Sequence, residues 1–348
     1  MSEQTDAEGG KRAAFDEDIR RRNLIGYWMI PGTSTVFREP EPKHGPFKWT
    51  WQDIQEPLFK SPDHIPKEEA FRRFIGFQHP DLEIGTTPNL ILGAQLVLPG
   101  EVAPCHRHTM DAVRFVVEGD GSTCTVIEGE EFPMHRGDLI TTPNWCWHEH
   151  VNGGKTAAIW LDGAVAPLIQ HFKIGFAEPH QRGHQDMVRP RGWSDRQFGP
   201  LKPRKASIGD SSYRPPYRYG WAETRKALDE LSGGPEDVND GICLSYSDPV
   251  TGGATLATMS CEIQMLAPNK SYARHRHTHA AIYHVVEGAG ATEIGEERFD
   301  WQKGDTFAVP LWTWHGHENT TAKPAILFSI NDQPVMQSLG FWRQEQGA

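Results

Sequence analysis

The sequence predicts a mainly β protein built as two copies of one small barrel, with helices confined to the N-terminal region and a linker. Three observations carry this reading. From about residue 89 the chain runs in short, β-rich segments bounded by Gly, Pro or Asn: "NLILGAQLVLPG", "AVRFVVEG", "STCTVIEG", "EFPMHRGDLITTP" and "TAAIWLDG". Such close spacing belongs to an all-β barrel or sandwich. Those segments then come back. His106, His108, Glu118 and Gly119 recur 169 residues on as His275, His277, Glu287 and Gly288, and Gln95 recurs as Gln264. After a two-residue gap the offset is 167, and Gly137, Asp138, Pro143, Trp145, Trp147, His148, His150 and Asn152 recur as Gly304, Asp305, Pro310, Trp312, Trp314, His315, His317 and Asn319. Finally, a Pro, Arg and Gly-rich stretch from about 178 to 220 separates the copies like a connector.

The elements follow in order. Residues 1 to about 22 are charged and poor in apolar residues, so this segment is expected to be loose or partner-dependent. "KSPDHIPKEEAFRRFIGF", from Lys60, reads as a capped helix. Ser61 or Asp63 precedes Pro66, acidic residues fill the first turn, and Phe71, Phe74 and Ile75 fall at helical spacing. The N-terminal arm and its helices are assigned to 1–85 and the first barrel to 86–175. The linker takes 176–250 and contains the short helix "WAETRKALDELSGG", closed by glycine. The second barrel takes 251–348, beginning at "GATLATMSCEIQMLAP" and ending its strands at "PAILFSIND".

Composition narrows the function classes. The 348 residues hold 46 acidic and 35 basic side chains, a formal charge of −11, which argues against a nucleic-acid-binding surface. The N-terminus has no apolar secretory core, and no run reaches the length of a membrane span. The five cysteines, Cys105, Cys124, Cys146, Cys243 and Cys261, form no CxxC pair and are odd in number. They read as reduced thiols of a cytoplasmic protein.

The chemistry centres on "HRHTMDAVRFVVEG". Residues i and i+2 of a strand share a face, so His106 and His108 point together into a barrel. In a regular strand Met110, Ala112 and Arg114 would share that face. His148 and His150 of "TTPNWCWHEH" share a face in the same way. His106, His108 and His148 are the natural three-nitrogen metal-ligand set, open on one side. The rival reading, surface or satisfied core histidines, is weakened because the HxH pair comes with a GDxxxxPxWxWH segment, twice. Three neutral imidazoles leave the full charge on a divalent metal. A ligand with a carboxylate and an adjacent phenolate would neutralise it and leave a position for O2, which suits Fe(II).

The HxH pair and the later WxWH segment resemble the cupin superfamily, which implies a bicupin of two double-stranded β-helix, jelly-roll-like barrels. Many metal cupins place a Glu four or five residues after the second histidine; here Ala112 and Val113 stand there, so the carboxylate ligand of oxalate decarboxylase-like members is missing. "GAQLVLPGEVAPCHRHTMDAVRFVVEG" and "GDLITTPNWCWHEHVN", together with the repeat, resemble the gentisate 1,2-dioxygenase family, which includes salicylate, 5-nitrosalicylate and 1-hydroxy-2-naphthoate dioxygenases. The likeness runs from about 20 to 345. It implies an Fe(II) enzyme, one iron per chain in the first barrel, that uses O2 to open a small aromatic hydroxy acid between its carboxyl- and hydroxyl-bearing carbons. It further implies a homo-oligomer, commonly a tetramer.

Carried over from that family, the ligands are His106, His108 and His148. Arg114 takes the substrate carboxylate. His150 stands near the hydroxyl or bound oxygen as acid, base or donor, and Asp162 supports these groups. Gln95 lies on the strand before the ligands and is a candidate to touch substrate or solvent in the pocket. Arg72 and Arg73 resemble arginines that reach the site from outside the barrel, with the choice between them open. Each has a plainer alternative: an ion-pair partner for Arg114, a barrel hydrogen-bonding residue for Gln95, a solvated helix face for Arg72 and Arg73. Glu118, Gly119, Glu287 and Gly288 read as turn residues, and the tryptophans as packing and pocket wall. The second copy keeps His275, His277 and His315 as a candidate second metal set, and His317 too. Yet Arg114 becomes Tyr283, Asp162 becomes Ser329 and Met110 becomes His279. Catalysis is therefore expected in the first barrel. The competing classes are a non-oxidative metal cupin, such as a decarboxylase or isomerase, and a non-catalytic binding bicupin.

Overall fold

A computed structural model describes residues 2–30, 38–42, 44–66, 72–200 and 215–347. Residues 1–41 and 42–348 form two compact units. The first contains the helix Ser2–Arg21, in the stretch that the sequence marks as loose or partner-dependent. That helix is not built on an apolar stripe. Its last turns carry Arg12–Asp16, Arg21–Glu17 and Arg22–Asp18 pairs at i,i+4 spacing, each worth a few tenths of a kcal/mol to an exposed helix. Trp28 folds back on it, stacking on Phe15 and donating its indole N–H to Asp16 at 2.9 Å.

The second unit is mainly β, and all its paired strands are antiparallel. One barrel sets a five-stranded sheet, running 177–179, 102–108, 148–152, 120–127, 130–135, against a six-stranded sheet, running 218–219, 139–142, 112–118, 158–164, 91–97, 73–76. The other sets 297–302, 289–294, 315–319, 275–277, 344–346 against 47–49, 306–309, 281–287, 325–331, 260–266, 242–245. The two six-stranded sheets share one core: Phe115 stacks on Phe328 at 4.2 Å between ring centroids, and both are at most 2% exposed. Burying such a ring contributes roughly 1.5–3 kcal/mol.

The expected helix from Lys60 is displaced. The helix is Trp51–His64, capped by Thr50, whose hydroxyl accepts the Asp53 N–H at 3.2 Å. It stops where Pro66 forces Ile65 into extended geometry. Phe71 lies outside the described residues. Arg73–Gly76 is a strand paired with Ile91–Val97, so its apolar residues meet a sheet edge and not a helix face.

Each repeated Gly-Asp pair has a structural role. Gly137 has φ +84°, and an added Cβ would meet the Trp221 ring at 2.5 Å; Gly304 has φ +92° with Trp51 at 2.6 Å. Asp138 accepts the Trp221 N–H at 2.9 Å, and Asp305 accepts the Trp51 N–H at 3.0 Å. The arms are thus crossed. Phe47–Trp49 pairs with the second barrel although the helix after it packs on strands Arg73–Gly76 and Ile91–Val97 of the first, and Arg218–Tyr219 pairs with the first although the helix Trp221–Leu231 packs against Ile242–Ser245 of the second.

Candidate metal centre

Strand pairing brings the three histidines of the first barrel together. His106 and His108 alternate on strand Val102–His108, and His106 lies opposite His148 on the neighbouring strand. Ring centroids stand 4.3 Å apart for His106–His148, 4.8 Å for His108–His148 and 5.3 Å for His106–His108. One ring nitrogen from each falls within 4.8 Å of the others.

Local backbone geometry orients the rings. Nδ1 of His108 donates to the Met110 carbonyl at 2.9 Å, and Nδ1 of His148 to that of Cys146 at 3.0 Å. Nδ1 of His106 lies 3.2 Å from the Pro104 carbonyl. A donating Nδ1 leaves the Nε2 lone pair free to ligate. Nε2 of His148 is buried with no hydrogen-bond partner. Burial holds all three rings neutral. It pulls His106 down to about 3, helped by Arg72, and His108 down to about 4, helped by Arg114. His148 is held well below its ordinary value for the same reason. Three neutral imidazoles without a carboxylate fit a divalent transition metal.

The two arginines arrive from different directions. The strand carrying the histidines ends at His108, so Arg114 does not lie on its continuation. It comes instead from the opposing sheet, 1% exposed, in register with Asp162. Its Nε is 4.0 Å from the Asp162 carboxylate, and its Nη1 donates to the Thr142 hydroxyl. Arg72 and Arg73 lie at the start of a strand, not on a helix, and they separate. Arg73 pairs with Glu101 at 2.5 Å. Arg72 turns inward, with Nη1 3.1 Å from His150 Nε2 and Nη2 2.7 Å and 3.1 Å from the ring nitrogens of His106. Burial and the neighbouring Arg114 bring Arg72 down to about 10, opposed by Asp162.

These contacts assign the His150 tautomer. A guanidinium only donates, so Nε2 accepts from Arg72 and Nδ1 carries the proton. Nδ1 then donates to Thr125 Oγ1 at 3.0 Å. The ring is fully buried and held neutral, first by burial and then by Arg114 and Arg72. Gln95 is 1% exposed, and both polar atoms of its amide are unpaired.

Thr125 and Thr142 were not singled out from the sequence. Thr125 recurs as Thr292 and signals a shared role; Thr142 is matched by Val309 and signals a difference. The tryptophans do more than line a wall. Arg107, between the two histidines, lies 4.4 Å from both Trp145 and Trp147, and Arg276 repeats this at 4.4 Å from Trp312 and 4.8 Å from Trp314. These cation–π clamps explain why HRH and WxWH recur together.

Two antiparallel barrels, each presenting three inward histidines, define a bicupin of the metal-binding kind. The cupin-domain family matches residues 94–163 and again 262–331. The chain is 36% identical to a 5-aminosalicylate 1,2-dioxygenase from Comamonas sp., covering 95% of this chain and 89% of that one. It is 34% identical to gentisate 1,2-dioxygenase 1 of Aquipseudomonas alcaligenes, covering 97% and 96%. The crystal structure of a salicylate 1,2-dioxygenase from Pseudaminobacter salicylatoxidans superposes with a TM-score of 0.87 at 31% identity, covering 96% and 97%. The chain belongs to the gentisate- and salicylate-type family of ring-cleaving 1,2-dioxygenases. No helix among the described residues is long and apolar enough to cross a membrane.

Proposed function

We propose that the first barrel is an Fe(II)-dependent dioxygenase site that opens gentisate or another 5-substituted salicylate between its carboxyl- and hydroxyl-bearing carbons. The observation that carries this reading is a carboxylate-free histidine triad faced by the buried Arg114 and the half-buried Arg72. His106, His108 and His148 hold the metal. Bound Fe(II) supplies the one-electron chemistry that lets O2 react with the ring.

The chain's own residues do the rest. Arg114 and Arg72 receive the substrate carboxylate, whose charge relieves one buried and one half-buried cation set close to a metal. Asp162 holds Arg114 in place. His150 takes the hydroxyl proton on Nε2 once Arg72 turns from it to the substrate carboxylate, while Thr125 keeps the proton already on Nδ1. Gln95 offers an unpaired amide to the ring substituents. The triad lacks the carboxylate that oxalate-type chemistry uses, which disfavours a non-oxidative cupin. The enzyme is read as cytoplasmic and homo-oligomeric, tetrameric by family likeness, with Leu24, Ile25, Tyr27 and Trp28 of the N-terminal unit exposed as assembly contacts.

O2 uptake by the Fe(II)-loaded protein, measured across salicylates bearing hydroxyl, amino, nitro, halogen or hydrogen at position 5, tests the proposal. Consumption with at least one member, coupled to loss of the aromatic spectrum, is expected. No uptake with any of them, or CO2 release without O2 demand, overturns it.

A further inference from the structure

The second barrel repeats the histidines but not their surroundings. Ring centroids of His275, His277 and His315 stand 5.4, 4.3 and 4.9 Å apart, close to the distances in the first barrel. One ring nitrogen from each again falls within 4.8 Å of the others. Nδ1 of His277 donates to the His279 carbonyl at 2.8 Å and that of His315 to the Thr313 carbonyl at 3.0 Å, which turns their Nε2 atoms inward. Nε2 of His315 is fully buried and has no partner. The set is also more closed. His275, His277 and His315 are 3%, 4% and 0% exposed, and His279 lies flat on His277 at 3.5 Å.

The charge around this set is reversed. Strands Arg73–Gly76 and Ile242–Ser245 hold the same place in their barrels, Phe74 pairing with Gln95 and Cys243 with Gln264. In each barrel the residues just before that strand reach the first histidine of the triad. The first barrel delivers the Arg72 guanidinium onto His106. The second delivers the Asp240 carboxylate, with Oδ2 4.0 Å from His275 Nε2. Tyr283 replaces Arg114, and Glu262 stands where the first barrel has Gly93. A triad flanked by guanidinium groups needs an anion from outside. A triad flanked by its own carboxylate does not.

We propose that the second barrel binds a divalent cation of the zinc class through His275, His277, His315 and the Asp240 carboxylate, as a closed four-ligand site. Three imidazole nitrogens and one carboxylate oxygen are a regular tetrahedral donor set; the three nitrogens already lie within 4.8 Å of one another, and inward movement of the partly exposed Asp240 carboxylate completes it. With four protein ligands, no position stays open for an aromatic acid, and among the described residues no guanidinium takes the place of Arg114, where Tyr283 stands. The ion stabilises the second barrel by coupling binding to folding. This site stands independently of the reaction proposed for the first barrel.

The full-length protein, stripped with chelator and reloaded with Co(II), distinguishes the outcomes through metal content and visible absorption. Two Co(II) per chain are expected, one showing the intense d–d bands of four-coordinate cobalt. His315→Ala removes that ion and its bands; His148→Ala, the mirror control, removes the other ion and leaves the bands. Loss of a buried histidine can unfold a barrel, so Asp240→Asn, at a partly exposed position, is the second variant. It is expected to weaken the four-coordinate site by at least about tenfold and shift its bands. One Co(II) per chain in the parent protein overturns the proposal. So does a second ion that survives His315→Ala, or an Asp240→Asn protein with unchanged affinity and spectrum.

Discussion

The two barrels share strands, registers and three inward histidines, yet one gathers guanidinium groups around the triad and the other gathers carboxylates. The pair Arg114–Asp162 in the first occupies the register position of Tyr283–Ser329 in the second. Arg72 on His106 is answered by Asp240 near His275. The comparison teaches that a histidine triad marks where a metal sits but not what happens there. The sign of the flanking charge decides whether the site recruits an anionic substrate or completes itself.

The largest effect comes from removing a ligand. His148→Ala is expected to lower ring cleavage by ~10³-fold or more, because the metal contributes several kcal/mol of transition-state stabilisation. The loss in His315→Ala, measured per folded protein, is at least tenfold smaller. Equal losses in steady-state turnover would break the assignment of catalysis to one barrel. Next, Arg114→Tyr with Asp162→Ser writes the second barrel's pair into the first. Loss of a buried, charge-assisted carboxylate contact is expected to lower kcat/KM by on the order of 10²–10³-fold. Iron content, read by metal analysis, stays near one per first barrel. If the iron left with the activity, the pair would belong to metal binding rather than to substrate.

A smaller effect is expected at Arg72. Arg72→Met removes one charged donor, which corresponds to a ~10–100-fold rise in KM with a lesser change in kcat. Arg73→Met leaves KM within about twofold, because Arg73 is committed to Glu101 and not to the site; breaking this largely buried pair lowers stability instead. A loss at the low end of the Arg72 range is expected for Thr125→Val, which frees the His150 ring to change tautomer. A roughly tenfold fall in kcat, with a displaced acid limb of the pH profile, is expected. An unchanged profile would remove Thr125 from the mechanism.

Much of this contrast was legible in the chain itself. The repeat, the strand segments and both triads follow from spacing, because strand alternation is a local rule. Comparing the copies position by position singled out Arg114 and Asp162 against Tyr283 and Ser329. Other features depended on how strands meet. Phe74 and Ile75 fit a helical period as well as a strand, and only pairing with Ile91–Val97 decided between them. Arg72 and Arg73 are adjacent, so no sequence pattern told which turns inward; a strand sends neighbours to opposite faces, and Glu101 claimed Arg73. Asp240 was invisible for the same reason. It lies outside the segments that align well between the copies, and its value comes from the first histidine it approaches.

Periodicity and identity at a fixed offset are enough to give the two barrels, the two histidine sets and the substitution that separates them. Which charges face each set, which arginine enters and which ring nitrogen of His150 carries the proton came from the folded chain. Those depend on side chains brought together from distant strands, where burial gives each unpaired charge or lone pair its weight.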